Sequence, residues 1–355
     1  MAEEYRPLPK VQLHCHILGA VPRDTVIALA RKNGTRLADA DPADIYLYHD
    51  FAGLVEILVN VAEVMREPED FSRVAFEVLR SGFEHDSIIY SELFFQPMYH
   101  ALMDVPYDLV VEGLLNGIGR AERELGVQAR LIAGINRQLP GAMAVQLVEK
   151  IIRNGSEYVA GIGLEDYEPY GPPEQFVEAF ALARRHGLHR TAHAGEHGGP
   201  ENVVTCVGAL RCERIDHGYH LVEDRAALYR LAGRDVHFTV CPTVCNRQGW
   251  YEPEDHVLRQ MYEIGLRLSV NTDDPAIIGT DLSTEYAIAA ELMGLQPADM
   301  LRLSREAIAD CWLDDGAKAA LTDRFDVAAE RFSALLVGDG GRDGDGQPAV
   351  LDDPR

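Results

Sequence analysis

Short apolar runs alternate with longer amphipathic ones along most of the chain. Eight of the short runs read as strands: 11–17 (VQLHCHI), 88–95 (IIYSELFF), 128–135 (QARLIAGI), 158–165 (YVAGIGLE), 189–195 (HRTAHAG), 214–220 (RIDHGYH), 237–244 (HFTVCPTV) and 267–273 (RLSVNTD). Between most of them apolar positions recur with helical spacing. Residues 108–125 carry Leu109, Val110, Leu114, Leu115 and Ile118 in an i, i+3/i+4 stripe. Residues 173–186 open on a proline pair and stop at Gly187, the usual start and stop signals of a helix. Stretches 142–153, 222–233 and 254–264 read likewise.

Eight strands with helical crossovers predict a closed parallel (β/α)8 barrel of the TIM type. An open doubly wound sheet is the alternative, but no Gly-rich phosphate loop follows any strand. Residues 22–85 hold extra helical material between the first two strands, including DFAGLVEILVNVAEVM at 50–65. An insertion after the first strand lies on the catalytic face of such a barrel, where it could act as a lid; ordinary helix packing is the other reading. One domain is expected over residues 1–336. Residues 337–355 turn rich in Gly, Asp and Pro without periodicity, so a disordered acidic tail is expected there.

Charge narrows the partners. With a net charge of −24 and a pI near 4.9, the chain should repel nucleic acid and anionic membrane. No apolar run approaches the roughly 18 residues that span a bilayer. The N-terminal MAEEYRPLPK is acidic and lacks the apolar core of a signal peptide. The six cysteines form no CxxC pair, so reduced thiols in a cytoplasmic protein are expected. Cys241 and Cys245 alone make a weak half of a zinc site.

In a parallel barrel, chemistry sits at the C-terminal ends of the strands. His14 and His16, two apart, share one face of the first strand. His193 stands near the end of the fifth strand, with Glu196 three residues on. His217 stands near the end of the sixth, and Asp273 and Asp274 close the eighth, where Pro275 stops it. Each has a bland reading by itself. Together they would leave several imidazoles and carboxylates desolvated at one barrel mouth without function, which is costly. Three imidazoles and a carboxylate suit Zn²⁺, so His14, His16, His193 and Asp273 are the expected ligands of one ion. Strand 158–165 offers no lysine to bridge a pair of ions, though Glu165 could in principle reach a second. Zinc lowers the pKa of bound water to roughly 7. His217 is placed to orient that water or take its proton, Glu196 to donate a proton, and Asp274 to face a substrate.

At these residues the sequence resembles the adenosine/adenine deaminase family of the amidohydrolase superfamily. The stretches are PKVQLHCHILGA (9–20), IIYSELFFQP (88–97), HRTAHAGE (189–196), ERIDHGYHLVED (213–224), FTVCPT (238–243) and LSVNTDDP (268–275). The resemblance implies a one-zinc barrel that adds hydroxide to C6 of a 6-aminopurine and releases ammonia. By position, Glu196 would protonate N1, His217 would orient the hydroxide and Asp274 would bond N7. A small aminopurine-like molecule is thus the expected partner. Three departures concern substrate. Leu18 stands where family members carry a carboxylate that holds sugar or base. In GLEDYE (163–168), Gly163 replaces an aspartate and Asp166 falls where a glycine is expected. CPTVCNRQGW (241–250) matches neither the family's CPxS form nor its continuation. Leu18 and Asp166 are therefore expected at the substrate, and the substrate is expected to differ from plain adenosine: a 5′-modified adenosine such as aminodeoxyfutalosine, or a specialised-metabolism aminopurine. Adenosine or adenine itself, another cyclic amidine or amide, and an inactive binding protein are the alternatives.

Overall fold

The computed structural model describes residues 2–249 and 255–339, the side chains of 337–339 excepted. Eight strands, β1 (Lys10–His16), β2 (Ile88–Phe95), β3 (Gln128–Asn136), β4 (Val159–Glu165), β5 (His189–Ala194), β6 (Arg214–His217), β7 (His237–Val240) and β8 (Arg267–Val270), follow one another in sequence order. Every neighbouring pair is parallel. Closure between β8 and β1 runs through a single bridge, Cys15 to Asp273. There the His16 amide donates to the Asp273 carbonyl at 2.8 Å. Asn271 extends the seam, its side-chain oxygen accepting from the amides of Leu13 and His14 at 2.7 and 3.0 Å. The result is the expected (β/α)8 barrel, its core lying between the strands and the surrounding helices.

The amphipathic stripes become helices at Tyr107–Leu125, Gly141–Asn154, Arg225–Ala232 and Val257–Glu263. Residues 173–186 divide into a 3-10 turn, Pro173–Phe176, and a helix, Val177–Arg185. The last four strands are shorter at their C-terminal ends than the apolar runs suggest. The expected strand 237–244 ends at Val240, because Pro242 cannot donate to a ladder and instead opens the helix Pro242–Arg247. Insertion 22–85 forms three helices, Arg23–Asn33, Phe51–Glu63 and Pro68–Asp86. The C-terminal helix Asp315–Asp339 runs past the expected start of the tail; residues 340–355 lie outside the described residues. No helix among the described residues is long and apolar enough to cross a membrane. All six cysteines are buried and unpaired.

Candidate active site

Four donor atoms meet at the C-terminal mouth of the barrel. The Nε2 atoms of His14, His16 and His193 lie 3.1–3.3 Å from one another. Asp273 Oδ1 lies 3.5 Å from His14 Nε2 and 3.3 Å from His16 Nε2. A tetrahedron with bonds of about 2.0–2.1 Å to zinc has edges of about 3.3–3.4 Å. The four positions therefore fit a tetrahedral ion, and for His14 the hydrogen bonds explain why Nε2 presents a lone pair. Thr239 donates its hydroxyl to Asp216 Oδ1 at 2.7 Å, so at 3.2 Å from His14 Nδ1 it can only accept. That fixes the proton on Nδ1 and frees Nε2. Asp216 also takes the Thr191 hydroxyl at 2.8 Å and lies 3.5 Å from His193 Nδ1, so one buried carboxylate stands behind two of the imidazoles. His16 Nδ1 meets Gln96 at 2.9 Å and Glu165 at 3.4 Å.

His217 lies beside this cluster. Its Nδ1 is 3.2 Å from the Tyr219 hydroxyl, which donates to the Cys241 carbonyl at 3.1 Å and accepts from the Cys241 amide at 3.0 Å. The hydroxyl has no second proton to give, so His217 Nδ1 must donate and Nε2 carries the lone pair. Nε2 is buried without a hydrogen bond, 3.7 Å from Glu196 Oε2 and 3.8 Å from Asp273 Oδ2. Burial keeps His217 below the usual histidine range, outweighing the two carboxylates. It is a neutral base aimed at the gap between them.

Glu196 is held by Gln248 Nε2 at 3.3 Å and by His197 Nδ1 at 3.1 Å. Burial raises its carboxyl, but His217 and His197 outweigh burial and leave it below the ordinary carboxylate range. Asp274 differs: burial pushes it up to about 7, and its Oδ1 has no partner. Asp166 is likewise pushed up to about 7 by burial and by neighbouring Glu165, and its Oδ1 accepts from Tyr99 at 2.7 Å.

His16, His193, Glu196, Asp273, Asp274 and Asp166 all line one cavity of about 60 Å³, roofed by Phe51, Leu54 and Leu58. Helix Phe51–Glu63 thus covers the mouth. Leu18 does not join them. It is fully buried in the apolar core and lines neither this cavity nor the larger one outside it. The short 3-10 turn Leu18–Ala20 points that side chain inward. Cys241 sits 3.9 Å from His14 Nδ1, but burial raises its thiol well above the usual range, and Cys245 lies in the core.

Sequence reasoning missed the supports. Glu168 accepts four backbone amides, those of Gly195, Glu196, His197 and Gly198, at 2.8–3.0 Å. Gln96, Tyr99, Thr239 and Gln248 were equally silent, since each acts only through a contact distant in sequence. A signal existed for Asp216 alone, as the carboxylate beside His217 in RIDHGYH.

Known proteins resemble this chain over most of its length. The family model for adenosine deaminase matches residues 9–328. A protein of Zymomonas mobilis named adenine deaminase is 32% identical over 333 residues, covering 92% of this chain and 97% of its own length. One of the same name from Caulobacter vibrioides is 34% identical over 325 residues, covering 90% and 93%. An amidohydrolase from Burkholderia ambifaria, solved with bound Zn, superposes with a TM-score of 0.85 at 32% identity over 94% of each chain. The adenine deaminase of Arthrobacter aurescens gives 0.83 at 28% identity, covering 91% of this chain and 99% of its own. The match runs from the residue before β1 into the C-terminal helix and takes in every strand that feeds the cavity, so this chain belongs to the adenosine deaminase family.

Proposed function

We propose that the chain is a zinc-dependent hydrolytic deaminase of a 6-aminopurine, replacing the ring amino group by oxygen and releasing ammonia. The convergence of three imidazole Nε2 atoms and Asp273 on one point, beside a His217 whose Nε2 makes no hydrogen bond, carries this reading. His14, His16, His193 and Asp273 would hold the ion. When bound, zinc supplies a water acidic enough to react near neutral pH. His217 Nε2, which carries a lone pair, would accept a proton from the attacking water and orient that water toward C6. Glu196, whose Oε2 lies 3.1 Å from His197 Nδ1, would deliver a proton to N1, which makes C6 electrophilic as attack occurs. Asp274, whose burial raises its carboxyl and favours the protonated form, can donate to N7. Asp166 and Tyr99 close the far wall.

The departures at 163–168 and 241–250 favour a substrate other than plain adenosine. The relatives named adenine deaminase favour adenine as the competing reading. An ammonia-release screen with adenine, adenosine and 5′-modified adenosines separates the two. High kcat/KM on adenosine would refute the substrate reading. Glu196→Gln should lose about a hundred-fold or more in kcat while keeping its zinc, since a positioned proton donor is worth that much. An unchanged kcat would remove Glu196 from the reaction.

A further inference from the structure

The small inner cavity opens into an outer chamber of about 660 Å³, the two sharing Phe51, Leu54, Glu196, Asp273 and Asp274. Their charges differ. The inner wall carries Glu165, Asp166, Glu196, Asp273 and Asp274 and no lysine or arginine. The outer wall adds Arg23 and Arg247 against one further acid, Asp50. Asp50 Oδ1 is engaged as the cap of helix Phe51–Glu63, accepting from the Gly53 amide at 2.8 Å.

Both arginines lack a carboxylate partner among the described residues. Arg247 donates Nη1 to the Tyr48 hydroxyl at 2.6 Å and Nη2 to the Ile278 carbonyl at 2.8 Å. Two neutral acceptors fix its plane, and no carboxylate among the described residues pairs with it. Arg23 rests over the Tyr46 ring, 5.4 Å from the centroid. An arginine oriented by neutral groups and facing a cavity is suited to a ligand's phosphate or carboxylate.

We propose that the outer chamber is an anion-binding subsite, and that the substrate carries a phosphate or carboxylate beyond its aminopurine ring, met by Arg247 and Arg23. The proposal rests on the aminopurine reading above and names the substrate's remote half. It also accounts for orientation. The inner wall offers an anion no lysine or arginine, whereas the outer chamber offers two, so the charged end stays outside between the arginines.

The test uses the zinc-loaded protein with adenine, adenosine, adenosine 5′-monophosphate and adenosine 5′-carboxylate. The two anionic probes should bind more tightly than adenosine by calorimetry, and should turn over with a lower KM. Arg247→Gln and Arg23→Gln should each weaken the anionic probes about ten-fold, the usual loss of a charge-assisted hydrogen bond, with kcat and adenine binding unchanged. The stronger of the two anionic probes identifies the group as phosphate or carboxylate. Equal binding of adenosine and both anions, or an Arg247→Gln loss shared by all four probes, overturns the subsite. Arginine-dependent binding without ammonia from any probe overturns the deaminase reading instead and leaves the subsite standing.

Discussion

Three residues at the cavity adopt a backbone conformation that side chains disfavour. Asp166, His217 and Asp273 have φ of 71°, 70° and 63°. Asp166 and Asp273 stand just past the ends of β4 and β8, and His217 is the last residue of β6. Such strain persists only where surrounding contacts hold it. Two glycines show the complementary device. A Cβ on Gly163 would meet the Phe94 ring at 2.2 Å, and that ring stacks on His16 at 4.7 Å. The Gly163 departure from the family's aspartate therefore makes room for the aromatic that seats a proposed ligand. A Cβ on Gly19 would stand 1.8 Å from Asp274 Oδ1. Gly19→Ala must push Asp274 aside, and a displacement near 1 Å costs on the order of a hundred-fold. We expect kcat/KM to fall by about that factor with the melting temperature barely changed; activity within two-fold of wild type, about 0.4 kcal/mol, would show that Asp274 can move without consequence.

At the scale of elements, the β5 loop is the part most dependent on one side chain. Residues 195–198 follow β5 as irregular chain, and their four amides all point at Glu168. Its carboxylate holds the loop that carries Glu196, while Asn202 adds a fifth donor at 2.9 Å. Glu168→Gln sets an NH2 group against these donors. Hydrogen bonds to a charged acceptor contribute about 1.5–3 kcal/mol. The variant should lose about ten-fold or more in kcat, and hydrogen exchange at 195–198 should quicken. Unchanged exchange there would mean the loop is held by other contacts. Helix Phe51–Glu63 is the other decisive element. Its apolar run was visible in the sequence, but only packing shows Phe51, Leu54 and Leu58 turned onto the cavity.

The whole barrel is tied at its other end by a buried ion pair. Arg214 Nη1 meets Glu92 Oε2 at 2.5 Å and the Leu13 carbonyl at 3.1 Å, and its Nη2 takes the Asp310 carbonyl at 2.8 Å. The guanidinium lies 4.2 Å from the Trp312 ring, and Glu92 also accepts from Tyr90 and the Trp312 amide. This joins β1, β2 and β6 to the segment before the last helix. Removing one member leaves a buried charge, at a cost of about 3–5 kcal/mol. Arg214→Ala should therefore lower unfolding free energy in urea by that amount, and Arg214→Met with Glu92→Leu should recover much of it. A loss below about 1 kcal/mol in the single variant would show that water reaches Glu92.

Strand count, helix stripes and a set of residue types suited to zinc were legible in the chain because each rests on periodicity or residue type within a short window. His14 and His16 share a face by spacing alone, and Asp273–Asp274–Pro275 marks a strand end by proline chemistry. What joins them was not legible. The lone pair on His14 depends on a proton held between Thr239 and Asp216, and that on His217 depends on Tyr219 and Cys241. Leu18, the position that drew most weight in the sequence, turned into the core, while Arg247 and Gln248, unremarkable in sequence, reached the chamber and Glu196. Residue type sets which chemistry is available. Which side chains face one another, and which protons they share, is decided only when the eight strands close and bring residues far apart in sequence within hydrogen-bond distance.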